Sequence, residues 1–240
     1  MRDLVETRPR DLSVCDLADH AGYSPYHFSR RFTARAGIGP GQYLIALRID
    51  AAKRMLLAEE SAAVIDVAAE VGFDSLSSFS RRFRSTVGIP PAALRRLAHR
   101  VADRAPRPFA LLPGEDGDDA GARAGVQVEL RLPADDSPSG DPSVWIGWYR
   151  CPAPIGLPVA GILVSGRRSV TLPLVPGAPW LLGFATRAGA DPLEQLVPCA
   201  PMVAVHPGPI TTTSPVTLDF VVGSETGIPL LSALPALCRS

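Results

Sequence analysis

Lysine is almost missing from this chain. Lys53 stands alone among 24 basic residues, and the rest are arginine, a bias of a GC-rich genome rather than a functional choice. Net charge is missing too: 24 Lys+Arg against 24 Asp+Glu leaves zero, which taken whole argues against an anionic partner. The four cysteines, Cys15, Cys151, Cys199 and Cys238, are widely spaced and form no CxxC pair, so neither a zinc nor a redox motif is visible. No run of 18 apolar residues occurs, and a membrane span is not expected. Met1-Arg2-Asp3-Leu4 opens without the apolar core of a signal peptide. A nucleophile elbow of the Gly-x-Ser-x-Gly type and a P-loop are both absent, and His206 has no acid or nucleophile beside it in a known pattern. These absences predict a cytoplasmic protein with reduced thiols, no cofactor, no metal, no membrane contact and no catalytic centre.

What is present is unevenly distributed. Residues 1–104 hold 16 Lys+Arg against 12 Asp+Glu, a net of +4; residues 105–240 hold 8 against 12, a net of −4. The first half is therefore the half suited to an anionic partner. Five prolines precede residue 105 and twenty follow it. Proline lacks a backbone donor and clashes inside helices, so the first half is predicted helical and the second is not.

The first half contains a duplication. Asp16-Leu17-Ala18-Asp19-His20-Ala21-Gly22-Tyr23 aligns with Asp66-Val67-Ala68-Ala69-Glu70-Val71-Gly72-Phe73. Phe28-Ser29-Arg30-Arg31-Phe32 aligns with Phe79-Ser80-Arg81-Arg82-Phe83, and the match runs through Gly37-Ile38 and Gly88-Ile89 to Pro40 and Pro91. Eleven of 21 aligned positions are identical. Each copy reads as helix, tight turn, helix. In the second, Val64, Val67, Ala68 and Val71 recur at helical spacing. Gly72 then suits a left-handed C-cap, and Asp74 or Ser75 the next N-cap. Leu76, Phe79 and Phe83 make one apolar stripe. In the first copy Val14, Leu17, Ala18 and Ala21 lead to Gly22, then Ser24 as cap, Pro25 at the first helical position, and a stripe of Phe28 and Phe32. The four phenylalanines are predicted core. Between the copies, Tyr43, Leu44, Leu47, Ala51, Met55 and Leu56 predict a helix over Pro40 to Ala58 that holds the two units at a fixed separation. His20 and His27 lie near Cys15 in sequence but read as surface residues rather than metal ligands.

The order Ala68-x3-Gly72-Phe73-x-Ser75-x-Ser77-x-Phe79-Ser80-Arg81-x-Phe83-Arg84-x3-Gly88-x2-Pro91-x2-Leu94-Arg95 resembles the signature of the AraC/XylS family of bacterial transcription regulators. The first copy is similar to that family's first unit, together with the helix carrying Tyr43, Arg48 and Leu56. Two departures are Leu94, where the family often has an aromatic, and a short lead-in before Leu12, which implies a truncated first helix. The resemblance covers residues 1 to about 100 and implies sequence-specific binding of double-stranded promoter or operator DNA. In a helix-turn-helix the second helix enters the major groove and its N-terminal side chains meet base edges. Those helices are expected at Pro25–Arg35 and Ser75–Thr86. The outward positions Tyr26, Ser29 and Arg30, then Leu76, Ser77, Ser80 and Arg81, match the family's base-contacting positions. Arg30 and Arg81 have the planar fork that pairs with guanine O6 and N7. Arg31, Arg82 and Arg84 are expected on phosphates, which position without specifying.

Residues 105–125, with Ala-Pro-Arg-Pro and then Gly-Glu-Asp-Gly-Asp-Asp-Ala-Gly-Ala, read as an acidic linker. Beyond it, Val126 to Leu132 alternates with period two. Further strands are predicted at 143–149, 159–165, 168–174, 179–186, 202–205, 210–213 and 216–222, the spacing of an all-β sandwich. That pattern resembles small prealbumin-like sandwich domains by strand count and spacing. Asp191-Pro192-Leu193-Glu194 reads as a single capped helical turn. Trp145, Trp148, Tyr149 and Trp180 either line a ligand site or fill the core. The expected architecture is therefore an all-α double helix-turn-helix domain (1–104), a linker (105–125) and an all-β sandwich-like domain (126–240). The second domain is expected to sense a small-molecule effector, or to mediate dimer or RNA polymerase contacts. An architectural DNA binder without sequence preference, and an enzyme in the β domain with a DNA-binding appendage, are the alternatives.

Overall fold

The structure, a computed structural model, describes residues 10, 12–103, 107–112, 125–133, 141–187, 189–198 and 201–223. The truncated first helix expected before Leu12, the acidic stretch 113–124, Cys199 and Cys238 fall outside them.

Among the described residues six helices come first: α1 (Val14–His20), α2 (Pro25–Ala36), α3 (Pro40–Ala58), α4 (Val64–Glu70), α5 (Leu76–Val87) and α6 (Pro91–Asp103). A sheet-rich region follows: β1 (Phe109–Leu111), β2 (Gly125–Arg131), β3 (Ser143–Tyr149), β4 (Ala160–Ser165), β5 (Ser169–Pro173), β6 (Trp180–Thr186), a 3-10 turn at Pro192–Gln195, β7 (Met202–Val205), β8 (Val216–Asp219) and β9 (Val221–Val222). Three elements differ from expectation. The strand predicted over 216–222 is split, β8 pairing with β2 and β9 with β7 in the other sheet. Phe109–Leu111, inside the expected linker, pairs antiparallel with β4, Phe109 facing Leu163. Its apolar Phe-x-Leu pattern outweighs the flanking prolines once a strand edge is available. Residues 210–213 form no strand, because Ile210 instead donates its amide to the carbonyl of Pro179 at 2.8 Å.

The duplication is visible in the helix ends. Ser13 caps α1 with a reciprocal capping box, accepting from the Asp16 amide while Asp16 accepts from the Ser13 amide at 2.7 Å. The Ser13 hydroxyl, donating to the same carboxylate at 2.6 Å, and then the Ser13 amide favour the charged form and hold the Asp16 pKa below its usual value. Ser24 accepts from the His27 amide and Ser75 from the Ser78 amide, at 3.4 and 3.3 Å, so Ser75 rather than Asp74 is the cap. Helix α4 begins at Ala63 with no side-chain cap.

Gly22 and Gly72 turn the chain between the paired helices with φ of 71° and 82°, a region costing an L side chain about 1–2 kcal/mol. A Cβ on Gly22 would meet nothing within 4 Å, whereas one on Gly72 would lie 2.9 Å from Arg10 Cα and 3.2 Å from the Arg48 guanidinium carbon. Gly22→Ala is therefore expected to lower stability by about 1 kcal/mol, and Gly72→Ala by clearly more. Urea titration of both variants checks the order.

Each helical unit has its own core, and α3 serves both. Leu17, Phe28, Tyr43, Leu44 and Leu47 belong to the first cluster; Ala46, Ile49, Leu56, Val67, Phe79, Phe83 and Leu94 belong to the second. The predicted core phenylalanines follow this plan, with Phe28, Phe79 and Phe83 buried and Phe32 half-buried against Phe28 and Tyr43.

Lys53 on α3 is fully buried. Burial pushes its ammonium from 10.5 down to about 8, against the pull of the Asp50 carboxylate, with Arg54 adding a smaller downward push. The charged form is thus disfavoured in the folded state, and between about pH 8 and 10.5 the unfolded chain binds more protons. This group's contribution to stability accordingly rises with pH across that window. Thermal melts should show the wild type gaining on Lys53→Met from pH 8 to 10, and a constant difference between pH 6 and 7.5.

In the sheet-rich half the strands order as β1-β4-β3-β6-β7-β9 in one sheet and β5-β2-β8 in another. Pairings are antiparallel apart from β2 with β8 and an isolated bridge at Gly223. β2 alternates buried and exposed residues, as its sequence does, whereas β3 is buried on both faces. Residues of both sheets, among them Val128, Ile146, Trp148, Leu172, Leu181 and Leu218, form one cluster. Of the four aromatics with two readings, Trp148 lies in that cluster, Trp145 packs with Leu163 and Phe184, Tyr149 is buried and Trp180 is half-buried. Trp145 and Trp148 thus serve as packing residues.

Candidate nucleic-acid interface

In both copies the second helix buries one aromatic face and leaves the other outward. On α2, Phe28 faces the core while Tyr26 is 70% exposed, Arg30 is exposed and Ser29 is half-buried. Tyr26, Ser29, Arg30, Thr33 and Ala34 line an open shallow groove. On α5, Phe79 and Phe83 are fully buried, Ser77 and Arg81 are exposed, and Ser80 is half-buried. Leu76 is 41% exposed. It therefore leaves the apolar stripe it fits by spacing and joins the outward set, because the first turn projects beyond the core. Ser77 also approaches the cap, with 3.4 Å between its hydroxyl oxygen and that of Ser75.

The arginines divide. Arg30, Arg81, Arg82 and Arg84 are exposed and form no ion pair among the described residues. Arg31 does not behave like its twin Arg82. It donates to the Tyr23 hydroxyl at 2.9 Å, with its guanidinium carbon 5.1 Å from the centre of that ring. Phe73 occupies the equivalent place in the second copy and packs inward on Phe79 at 5.2 Å. The hydroxyl on Tyr23 accounts for the difference, since a tyrosine can keep its oxygen at the surface and there hold a cation.

Two further arginines hold the units together, and sequence reasoning assigned neither a role. Arg48, on α3, donates to the carbonyls of Gly72 and Leu12 at 3.1 and 3.0 Å and reaches Arg10 O at 3.5 Å. It thereby ties the turn of the second unit to the lead-in of the first. Arg95, on α6, donates to Leu56 O, Glu59 O and Ala62 O at 3.0, 3.1 and 2.6 Å. Those are carbonyls of the C-terminal part of α3 and of the loop to α4, which no helix bond satisfies. The available signal for Arg48 was an arginine on the mostly apolar helix α3, whereas Arg95 is one of several charged residues on α6. Their targets were invisible because the acceptors are backbone atoms distant in sequence.

Among the described residues no cluster of three or more His, Cys, Asp or Glu stands together, and no helix is long and apolar enough to cross a membrane. His206 is engaged locally, its Nδ1 lying 2.7 Å from Gly208 O.

Paired helices with a cationic outer face, twice over on a common scaffold, define a double helix-turn-helix region of the DNA-binding class. Residues 17–97 match the family described as a helix-turn-helix domain. The activator AarP of Providencia stuartii is 40% identical over 85 residues, 35% of this chain and 62% of AarP. A protein of Streptomyces lividans named as an AraC-like transcription regulator is 39% identical over 87 residues, 36% of this chain and 28% of its own. The DNA-binding domain of the global transcriptional factor AdpA, solved in complex with a target DNA, is 32% identical with a TM-score of 0.39, covering 42% of this chain and 90% of that one. Residues 17–97 are an AraC-type helix-turn-helix domain. The chain spans less than two thirds of the length of these curated relatives.

Proposed function

We propose that the whole chain is a sequence-specific DNA-binding transcription regulator acting in the cytoplasm. The observation that carries this is the recurrence of one outward arginine, Arg30 and Arg81, at the same place on two helices whose opposite faces are locked into core. Each guanidinium pairs with a guanine, while Tyr26 and Leu76 meet thymine methyls and Ser29, Ser77 and Ser80 add less selective contacts. Arg82 and Arg84 hold phosphates. Arg31 does so from its seat on Tyr23, at the cost of adaptability. Joined through α3, the two helices address adjacent major grooves about 34 Å apart, on an asymmetric site bent at a cost of a few kcal/mol.

Residues 1–104 form the DNA-binding domain in this reading. Residues 126–240 form a two-sheet sandwich, supported by the core cluster common to both sheets, that serves effector sensing, dimer formation or polymerase contact. The role needs no catalytic residue. Selection of bound fragments from a random pool, followed by salt titration on selected and scrambled DNA, tests the reading. A preference of 10³-fold or more is expected, of the order typical for specific binders. Equal affinity with one common salt slope would make the protein an architectural binder instead.

A further inference from the structure

Two short stretches of the sheet-rich half pack into the cores of the helical half. The first lies between β3 and β4. Ala153 is fully buried in the cluster of Leu17, Phe28, Tyr43 and Leu44, with Cys151 half-buried beside it. Pro152 seats on Gly37, the left-handed residue that ends recognition helix α2, so closely that a Cβ there would lie 2.5 Å from Pro152 Cγ. The second stretch is the 3-10 turn. It delivers Leu196, fully buried, into the cluster of Val67, Phe79, Phe83 and Leu94, with Leu193 and Val197 packed alongside. Ile155 touches both clusters.

The sheet-rich half thus holds one unit through Ala153, the other through Leu196, and spans the helix between them. Helix α3, packed by the other helices of both units, is buried on nearly every side. Leu44, Ala46, Ile49, Ala52 and Lys53 are all inaccessible, though at 100° per residue they point in widely different directions. The outward faces that carry Arg30 and Arg81 stay uncovered.

We propose that the sheet-rich half is a positioning element for DNA reading: through Ala153 and Leu196 it fixes the separation of the two recognition helices, and so the spacing between the two half-sites that the protein accepts. The inference rests on the proposed DNA-binding function. Two reading units on one rigid body gain from simultaneous engagement, and that gain vanishes when the geometry forbids it. A body braced at three points, α3 and the two inserted stretches, tolerates little change of spacing, whereas a body held by α3 alone flexes to follow it. Any ligand or partner that shifts the sheet-rich half relative to α3 would act on DNA choice by the same route, reciprocally.

The test uses the full chain and a site selected from a random pool. Two base pairs inserted between its half-sites should cost the wild type on the order of 10²-fold in affinity. The Ala153→Asp/Leu196→Asp variant forces carboxylates into apolar contact and undocks the stretches. It should bind the selected site about tenfold more weakly and lose roughly threefold or less on insertion, as expected when one unit binds without the other. Leu157→Asp, an exposed change in the same loop, should keep the wild-type penalty. A folded double variant with an undiminished insertion penalty overturns the proposal.

Should that variant fail to fold, alkylation of the wild type decides. Cys151 is half-buried in the contact and Cys15 is exposed. Cys151 should react more slowly, and more slowly still with the selected site but not with scrambled DNA. Equal rates at the two thiols, or no effect of the selected site on Cys151, overturns the proposal. If the pool yields no preferred site, the sequence-specific reading itself fails; a preferred site with unchanged spacing tolerance sinks only the positioning role.

Discussion

Replacing Arg81 by alanine is expected to weaken binding to the selected site by roughly five- to 150-fold, or about 1–3 kcal/mol, and to relax preference at one base pair. The guanidinium is exposed on the outer face of α5, one residue beyond Ser80 and clear of the buried Phe79 and Phe83. Its removal should therefore leave the fold intact and delete the proposed bidentate contact with guanine. Arg82→Ala, one position on, should behave differently. It should weaken selected and scrambled DNA by the same factor and reduce the salt slope by about one unit, as loss of a phosphate contact does. Affinities of both variants for the selected site, its single-base variants and scrambled DNA, measured across a salt series, separate the two roles. If both variants lose affinity uniformly, Arg81 touches phosphate and the assignment of base readers is wrong. Arg31→Ala should show a smaller loss than Arg82→Ala, because Tyr23 already engages that guanidinium.

Phe79→Ala is expected to remove about 3–5 kcal/mol of stability, the cost of emptying a fully buried phenylalanine site. Phe79 has no exposed surface and touches both Phe73 and Phe83, at ring separations of 5.2 and 5.5 Å. A domain is stable by only about 5–15 kcal/mol, so this single change brings the second unit near its unfolding threshold. The matching change in the first copy, Phe28→Ala, should cost less. Phe28 retains 5% exposure and shares its cluster with the half-buried Phe32, whose surroundings have more freedom to collapse. Denaturant titration gives both values. Equal costs in the two copies would contradict the packing difference between them.

Much of the helical half is legible from spacing alone. The α3 boundaries, Pro40–Ala58, come out as expected, because Pro40 fixes the first turn and the apolar positions hold helical period throughout. The cap Ser24 and the turns at Gly22 and Gly72 are legible for the same reason, since each is a local need that few residue types meet; the second cap was legible only as Asp74 or Ser75, and the structure decides for Ser75. Leu76 shows where periodicity stops informing. It fits the apolar stripe, yet the end of the core leaves it in solvent. Strand positions in the second half are mostly legible, but β1 within a proline-rich stretch is not, as its pairing with β4 is a long-range event. Arg31 and Arg82 are indistinguishable as letters in a repeat. Only the hydroxyl of Tyr23, eight residues away in the chain, separates their environments.

By itself the sequence determined the duplicated helical units, their turns and caps, and the face of each second helix that carries arginine. These follow from local rules of backbone conformation, capping and amphipathic period. The tertiary structure alone decided how those units are held: Arg48 and Arg95 on carbonyls 24 to 39 residues distant, Lys53 sealed within α3's surroundings, and Ala153 and Leu196 seated in cores built by residues far earlier in the chain. Such contacts join groups with no periodic relation in sequence. They exist because a folded surface must find partners for its carbonyls and cover for its apolar faces, wherever in the chain these lie.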